Sequence, residues 1–232
     1  MVSQVKYSEK DLFKKAQLSK LPITIINHPL IRDGLAQIRD ENTPTAEFSA
    51  AIQMLSYQLI FAASSDLAEQ IRKLNTPLAP FNASVIKSRV VLVPVLRSGD
   101  GMLTPARHIF PHAPVIYAGV KRDEATAIPH WYRDLDNLKG LEGGENVVFF
   151  ILDPMLATGG SAIEVCKRIK QIYPVSTIKM VCIIAAPEGV IALNQSYPNV
   201  TISAAALDDH LNEKSYIVPG LGDAGDRQFG TS

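Results

Sequence analysis

Cysteine is scarce in this chain, which contains only Cys166 and Cys182. Both lie in apolar segments, and they show neither a C-x-x-C pair nor the spacing of metal ligands, so we expect no disulfide and no zinc site. We interpret them as reduced thiols packed in the core. Because disulfides are typical of oxidising compartments, two reduced thiols suit a cytoplasmic protein.

The chain also lacks an excess of charge of either sign. Lysine plus arginine and aspartate plus glutamate number 23 each, which gives a formal net charge of zero. Non-specific nucleic-acid binding depends on a broad positive field, so we expect no nucleic-acid partner. Any anion site must therefore be local.

A long apolar run is missing as well. No stretch reaches the roughly 18 to 20 apolar residues that a membrane span requires, and the N-terminal MVSQVKYSEKDLFKK has no apolar signal-peptide core. We therefore expect a soluble protein with no membrane partner. At 232 residues the chain fits one domain, residues 23–232, preceded by a polar, lysine-rich arm of residues 1–22.

Residues 45–74 have helical periodicity. Apolar side chains recur there at helical spacing, among them Phe48, Ile52, Leu55 and Leu59, which predicts one or two helices in this N-terminal part of the domain. Much of the segment is apolar beyond a single stripe, so we expect the core or another subunit to cover it. The resulting hypothesis is a homo-oligomer, either a homodimer or a homotetramer.

Short, β-branched apolar runs in the second half are typical of strands covered on both faces. They are VVLVPVL (90–96), VIYAGV (115–120), VVFFIL (147–152), MVCIIAA (180–186) and VTISAAAL (200–207). Amphipathic stretches at 161–172 and 187–196 separate the last three runs. This alternation predicts an α/β fold with a central, mostly parallel sheet flanked by helices. Pro94 fits poorly in an interior strand and predicts an irregularity or an edge position.

Residues 121–146 follow neither the helical nor the strand period, and they carry glycines and charges. We predict a flexible loop or a small hairpin there. Loops of this length in compact domains are often functional.

Ligands of an open parallel sheet bind beyond the carboxyl ends of its strands. DPMLATGGS (153–161) directly follows the run at 147–152. Its glycine-rich end offers backbone N–H groups and hydroxyls at a helix start, with Ser161 as the predicted N-cap, and this arrangement suits a phosphate. Asp153 can accept hydrogen bonds from two vicinal hydroxyls of a sugar. The segment therefore predicts a site for a phosphorylated sugar.

Two arginines at neighbouring strand ends suit a second anion. Arg97 opens RSGDG after residues 90–96, and Arg122 lies in KRDE after residues 115–120. Guanidinium groups bind phosphate bidentately. A single exposed arginine is usually a solvated charge, but both of these converge with 153–161 at one predicted sheet edge. A 5-phosphate, a ribose and a diphosphate together describe phosphoribosyl diphosphate.

The C-terminal G-L-G-D-A-G (220–225) matches the spelling of a dinucleotide-binding loop. That mechanism needs a strand before the glycines and a helix after them. Too few residues follow Gly225 to form the helix of a βαβ unit, so we reject a nicotinamide or flavin site and expect no helix after this loop.

Together these stretches resemble the uracil phosphoribosyltransferases, a family with the type I phosphoribosyltransferase fold. D-P-M-L-A-T-G-G-S is the wording of that family's phosphoribosyl-diphosphate motif. HPLIRDGLAQIRDENTP (28–44), VPVLRSGDGM (93–102) and LNEKSYIVPGLGDAGDRQFGT (211–231) also match. The resemblance implies that residues 23–232 form one phosphoribosyltransferase domain with a C-terminal uracil-binding loop.

The resemblance also implies roles for individual residues. Phosphoribosyl diphosphate would be bound by Arg97, Arg122, Asp153, Pro154, Met155, Leu156, Ala157, Thr158, Gly159, Gly160, Ser161 and Asp223. Uracil would be bound, largely through main-chain groups, by Ile217, Gly222, Asp223 and Ala224. Arg97, Arg122 and Asp223 would be the catalytic residues, and Mg²⁺ would be held through the diphosphate without direct protein ligands.

The implied reaction is attack of uracil N1 on the anomeric carbon, which yields uridine monophosphate (UMP) and diphosphate in pyrimidine salvage. Arginines and Mg²⁺ at the leaving group are the expected catalytic elements, and none of the five histidines is placed as a base. A site built from main-chain donors would reject cytosine, whose exocyclic amine would face them. GTP is a candidate activator by resemblance.

Several positions depart from the family pattern. Ser98 and Asp100 stand where an alanine and an apolar residue are common, and Lys121, Ala62 and His210 stand where an aromatic, a glutamate and a glycine are common. An alternative interpretation is therefore a non-catalytic uracil or nucleotide sensor on the same fold. A phosphoribosyltransferase for another base is a third, which the terminal loop weakens.

Overall fold

The structure is a computed structural model that describes residues 23–122, 129–135 and 146–231. The predicted arm, residues 1–22, lies outside the described residues, so its role stays a prediction. Within the described residues, no helix is long and apolar enough to cross a membrane.

Helices and strands alternate along most of the described chain. The helices are α1 (Pro29–Arg39), α2 (Thr45–Ala63), α3 (Leu103–Ile109), α4 (Gly160–Ile172), α5 (Pro187–Ser196) and α6 (Ala224–Phe229), with a 3-10 helix at Ser98–Met102. The strands are β1 (Ile23–Ile25), β2 (Glu69–Asn75), β3 (Pro80–Ile86), β4 (Arg89–Leu96), β5 (Ala118–Arg122), β6 (Pro129–Arg133), β7 (Val147–Leu152), β8 (Met155–Leu156), β9 (Thr177–Ala185), β10 (Thr201–Leu207), β11 (His210–Leu211) and β12 (Ile217–Val218).

The described strands build one central sheet and two small ribbons. The eight-stranded sheet has the order β1-β10-β9-β7-β4-β5-β6, with the short β8 also paired to β9. Its pairs are parallel except β5 with β6, which form an antiparallel hairpin. The ribbons are β2 with β3 and β11 with β12. The predicted class, a mostly parallel sheet flanked by helices, is confirmed, and part of segment 121–146 forms the predicted hairpin.

Both faces of the sheet are covered, which explains why its strands read as continuous apolar runs. Side chains alternate between faces along a strand. Val91 and Phe149 belong to the buried cluster that includes α4 and α5, whereas Leu92 and Phe150 belong to the cluster that includes α1, α2 and α3. Apolar residues therefore occupy every position of β7 and every position of β4 after Arg89.

Pro94 confirms the predicted irregularity but not the predicted edge position. It lies inside β4, where it pairs with Leu152 of β7. On the other side of β4, a bridge joins Leu92 to Val115, and the ladder with β5 resumes only at Val95. The missing N–H of Pro94 falls on the side of this gap, because Leu92, two residues earlier, bonds toward the β5 side through both Pro114 and Ile116.

The helical prediction for residues 45–74 is correct for α2 but wrong for its end. Residues 69–75 form β2, which pairs antiparallel with β3. Ile71 and Leu74 are three residues apart, which matches a helical spacing, but pairing with β3 outweighs this local pattern. The predicted strand at 115–120 also begins later, at Ala118.

Both cysteines lie inside the core, as predicted. Cys166 and Cys182 are free and buried. Burial raises the pKa of the Cys166 thiol to about 12 and also raises the pKa of Cys182. Both thiols are therefore protonated at neutral pH and unreactive.

The Phe150 side chain should be one of the strongest contributors to stability. It is fully buried, and its ring centroid lies 5.4 Å from that of Phe110. We expect Phe150→Ala to lower the free energy of unfolding by about 3 to 5 kcal/mol, because it leaves a cavity between the sheet and α3. Val175 is 99% exposed, so Val175→Ala should change the free energy of unfolding by less than about 0.5 kcal/mol. Chemical denaturation at a fixed protein concentration measures both, and equal effects would contradict this assignment.

Candidate active site

Three loops meet at the carboxyl edge of the sheet, and two adjacent residues connect them. Arg97, which follows β4, donates from Nη2 to Asp226 Oδ1 at 2.8 Å and from Nη1 to Thr231 Oγ1 at 3.3 Å. Ser98 donates from Oγ to Asp153 Oδ1 at 3.2 Å. The loop after β4 thus contacts the loop after β7 on one side and the C-terminal segment on the other.

The first half of segment 153–161 is fixed by the end of β9. The N–H groups of Ile183 and Ile184 both donate to the carbonyl of Pro154, at 2.9 and 3.0 Å. Met155 and Leu156 form β8, which pairs with Ile184 and Ala185. Asp153 directly precedes this paired stretch and is half-buried. Its carboxylate is therefore partly accessible, and the backbone next to it is fixed by β9.

The second half of the segment turns tightly into α4. Gly159 has a φ of +83° and occupies the N-cap position of α4. The prediction that Ser161 is the N-cap is therefore wrong, because the left-handed conformation needed for the turn falls on a glycine two residues earlier. Ser161 lies in the first turn of α4, where backbone N–H groups lack helical partners and the helix dipole favours an anion.

A close backbone contact with α5 supports this turn. A Cβ atom on Gly189 of α5 would lie 2.3 Å from the carbonyl oxygen of Ala157. The two main chains therefore approach in a way that only glycine permits. This contact was not predicted from the sequence, which shows Gly189 only as one glycine in PEGVIALNQS.

The C-terminal loop is followed by a helix, contrary to our expectation. Asp223 accepts a hydrogen bond from the N–H of Asp226 at 2.9 Å and caps α6, and Gly230 ends the helix with a φ of +64°. The six residues of α6 are too few for a βαβ crossover, so the dinucleotide interpretation stays rejected. Gly222 has a φ of +83°, which exposes main-chain groups next to Asp223.

Arg227 anchors this loop to the first two helices. It donates from Nη1 to the carbonyls of Leu221 at 2.7 Å and Ile38 at 2.5 Å. Its guanidinium carbon lies 4.4 Å from the ring centroid of Phe48 in α2. Burial lowers the pKa of the Arg227 guanidinium from its ordinary value, yet it remains charged at neutral pH. Sequence analysis did not single out Arg227, although it lies in the matched stretch 211–231.

Some predicted site residues are only partly placed. Arg122 is the last residue of β5, paired through its backbone with Pro129. Its side chain and that of Lys121 lie outside the described residues, so their convergence with Arg97 stays a prediction. Ile217 is buried in β12, and the departure His210 is exposed in β11, where it pairs with Val218.

Asp100 lies beside Arg97, as the sequence predicts. With Leu96, Tyr117, Arg133 and Phe229, the two residues line a cavity of about 320 Å³. The departure Asp100 therefore faces a space that also holds Arg133, a second positive charge. Ala62, another departure, lies in the last turn of α2.

Comparisons with known proteins point to one family. The family model for uracil phosphoribosyltransferase matches residues 25–231. A curated uracil phosphoribosyltransferase from Roseiflexus castenholzii is 45% identical over 210 residues, which cover 90% of this chain and 98% of that protein. Another from Ligilactobacillus salivarius is 42% identical over 208 residues, which cover 89% and 97%. A solved structure of an Aquifex aeolicus protein is similar with a TM-score of 0.82 and 33% identity, covering 90% of this chain and 99% of that one.

Hydrogen bonds from Thr231 and Arg97 lower the pKa of Asp226 from its ordinary value of 3.8. Asp226 therefore stabilises the fold above its unfolded pKa, and this contribution is lost as the pH falls through the lower folded value. We expect Thr231→Val to raise the Asp226 pKa, because the donated hydroxyl bond favours the carboxylate. Carboxyl-carbon NMR titration measures this shift.

A matched control is Ser49→Ala. Ser49 donates its hydroxyl to the carbonyl of Gln228 in the same helix and not to a carboxylate. It should leave the Asp226 pKa unchanged, and an equal shift in both variants would contradict the assignment.

Proposed function

Because the chain belongs to the uracil phosphoribosyltransferase family, we propose that the three loops at its sheet edge bind the substrates of that family's reaction. The reaction transfers the 5-phosphoribosyl group from phosphoribosyl diphosphate to N1 of uracil and releases diphosphate, giving UMP. The protein is thus a glycosyltransferase of the pentosyl-transferring type. The observation that carries the assignment of the site is the pair of contacts made by Arg97 and Ser98, which join the loops.

We assign phosphoribosyl diphosphate to the loops after β4 and β7. Asp153 accepts hydrogen bonds from the ribose hydroxyls, and the turn from Ala157 to Ser161 holds the 5-phosphate at the start of α4. Arg97 and Arg122 hold the diphosphate. Arg97 has five N–H groups in its guanidinium, and among the described residues it uses one bond to Asp226 and one to Thr231, which leaves donors for this role.

Uracil is assigned to the C-terminal loop. Uracil alternates carbonyl acceptors with N–H donors, and main-chain groups of Ile217 and of Gly222 to Ala224 can pair with such an edge. The positive φ of Gly222 allows this close approach of backbone to the base. Donors fixed in this way would face the exocyclic amine of cytosine and exclude it.

Catalysis requires charge stabilisation at the leaving diphosphate. Positive charge develops on the ribose and negative charge on the diphosphate as the bond to the anomeric carbon breaks, so Arg97 and Arg122 act where charge builds. Asp223 is exposed and caps α6, which Arg97 contacts through Asp226. We propose that Asp223 orients the phosphoribosyl group and helps uracil lose its N1 proton.

Mg²⁺ fits this site as an ion carried by the substrate. In the part of the chain that the structure describes, no group of three or more His, Cys, Asp or Glu side chains could hold a metal. Mg²⁺ commonly binds through substrate phosphates, so we propose that the diphosphate holds it here without direct protein ligands. When bound, Mg²⁺ would neutralise charge on the leaving diphosphate.

We also propose that the protein is a homo-oligomer. The ribbon formed by β2 and β3 is exposed along most of its length, including Ile71 at 69%, Leu78 at 95% and Phe81 at 56%. Phe61 near the end of α2 is 74% exposed. A monomer rarely exposes so many large apolar side chains in adjoining elements, and a second copy would cover them.

Two further proposals rest on the family resemblance and on residue chemistry. GTP is proposed as an activator, to be tested by adding GTP to the assay. We place the reaction in the cytoplasm, because the two protonated, buried thiols suit a reducing compartment.

The central test is product formation from phosphoribosyl diphosphate, Mg²⁺ and each nucleobase. We expect UMP with uracil and no product with cytosine. Arg97→Ala should lower kcat by about 100-fold or more, because it removes charge stabilisation at the diphosphate. Arg107→Ala, which removes an exposed arginine on α3, serves as the control and should leave kcat unchanged. No product with any base, or equal rates for both variants, would refute the assignment.

The oligomer proposal has its own test. Analytical ultracentrifugation of the wild type should show a dimer or tetramer at micromolar concentration. Phe81→Glu should shift the mass toward the monomer, because it places a charge in the proposed interface, whereas Val175→Glu, at an exposed site away from the ribbon, should not. A wild type that sediments as a monomer would refute it.

A further inference from the structure

An ion pair lies beneath the C-terminal loop. Arg39, the last residue of α1, donates from Nη2 to Asp208 Oδ1 at 2.6 Å and from Nη1 to Asp208 Oδ2 at 2.9 Å. The side chain of Asp208 is only 3% exposed and that of Arg39 is 25% exposed. This bidentate geometry fixes both the distance and the relative orientation of the two groups.

The pair holds both polar groups of one residue in the loop. The N–H of Gly220 donates to Asp208 Oδ2 at 2.9 Å, and Arg39 Nη1 donates to the Gly220 carbonyl at 2.8 Å. Gly220 lies between Ile217 and Gly222, both of which belong to the assigned uracil site. A Cβ atom on Gly220 would lie 2.1 Å from the carbonyl oxygen of Ile217. The backbone of Gly220 thus packs against that of Ile217 too closely for a side chain, and its position depends on the bonds to Arg39 and Asp208.

Asp208 is itself anchored to the strand that supports the other substrate site. Its N–H donates to the carbonyl of Ala185 at 2.8 Å, at the end of β9. Ala185 also pairs with Leu156 of the phosphoribosyl segment. The end of β9 therefore supports both loops. It contacts the phosphoribosyl segment directly and the C-terminal loop through Asp208.

We propose that Arg39 and Asp208 are positioning residues that set the uracil-binding backbone relative to the phosphoribosyl site. They act through Gly220 and do not touch either substrate. The proposal rests on the proposed function, because it takes Ile217 and Gly222 to Ala224 as the uracil site. Its consequence is that disturbing the pair weakens base binding selectively, while phosphoribosyl diphosphate, held mainly by 153–161 and the two arginines, is bound nearly as before.

The test compares Arg39→Lys and Asp208→Asn with the wild type. Lysine keeps the positive charge but cannot reproduce the planar fork, and asparagine keeps the shape but removes the negative charge. We expect the KM for uracil to rise about 10- to 100-fold, because a small displacement of binding groups has effects of that size. The KM for phosphoribosyl diphosphate should change by less than about threefold, as expected when only base binding is lost.

A matched control is Arg168→Lys. Arg168 forms another two-point contact, with Asp134, through Nε at 2.9 Å and through Nη2. That pair joins α4 to the residue after β6 and does not contact the C-terminal loop. The same substitution there should not raise the KM for uracil selectively.

Equilibrium binding provides a second measurement that does not depend on turnover. Calorimetric titration should show that Arg39→Lys weakens UMP binding by about the same factor as KM but leaves ribose 5-phosphate binding nearly unchanged, since only UMP contacts the base site. Thermal unfolding of each variant identifies any that do not fold, and Asp208→Asn then carries the test.

The outcomes separate this inference from the proposed function. If the wild type makes UMP but both variants raise the two KM values equally, or raise neither, the pair has only a structural role and the inference is overturned. If the wild type makes no UMP, the proposed reaction is overturned, and the two titrations still decide whether Arg39 positions a base site.

Discussion

The parallel hydrogen-bonded ladder of β4, β7 and β9 is the constraint on which the rest of the molecule depends. Pro94 pairs with Leu152, and Leu152 pairs with Val181, so neighbouring strands reach the carboxyl edge at matched levels about 5 Å apart. Arg97 and Asp153 begin their loops just beyond these positions. The strand register therefore brings the two loops together, as the proposed shared substrate site requires.

Recognition through the backbone places a second demand on the structure. A main-chain site has no side chains to hold its shape, so groups from elsewhere must fix it. The C-terminal loop meets this demand through charged side chains: Arg227 reaches the carbonyls of Leu221 and Ile38, and the Arg39 and Asp208 pair holds Gly220. Charge-assisted bonds suit this purpose because they are stronger and more directional than neutral ones. In the proposed uracil site, specificity would thus depend on charged residues that hold the backbone and contact no base.

The elements predicted correctly are those whose local apolar pattern matches the burial that the tertiary structure imposes. VVFFIL is apolar at every position because both faces of β7 are buried, and the structure places β7 at Val147–Leu152. The failures arose where strand pairing outweighed a local pattern or where a turn required a left-handed residue. Ile71 and Leu74 match a helical spacing, but residues 69–75 form β2 because β3 pairs with them. Ser161 is a good N-cap by type, yet Gly159 takes that position because only it adopts the left-handed conformation readily.

The sequence by itself determined the α/β class and the family, and it pointed to segment 153–161 as the proposed phosphoribosyl site, because each is expressed in a periodicity or a contiguous motif. Only the tertiary structure decided that Ser98 contacts Asp153, that Arg97 contacts Asp226, and that Arg39 contacts Asp208. These partners are separated by 55, 129 and 169 positions in the chain. No local pattern records a contact at such a separation, since it forms only when the sheet register and the helix packing bring the two segments to the same edge.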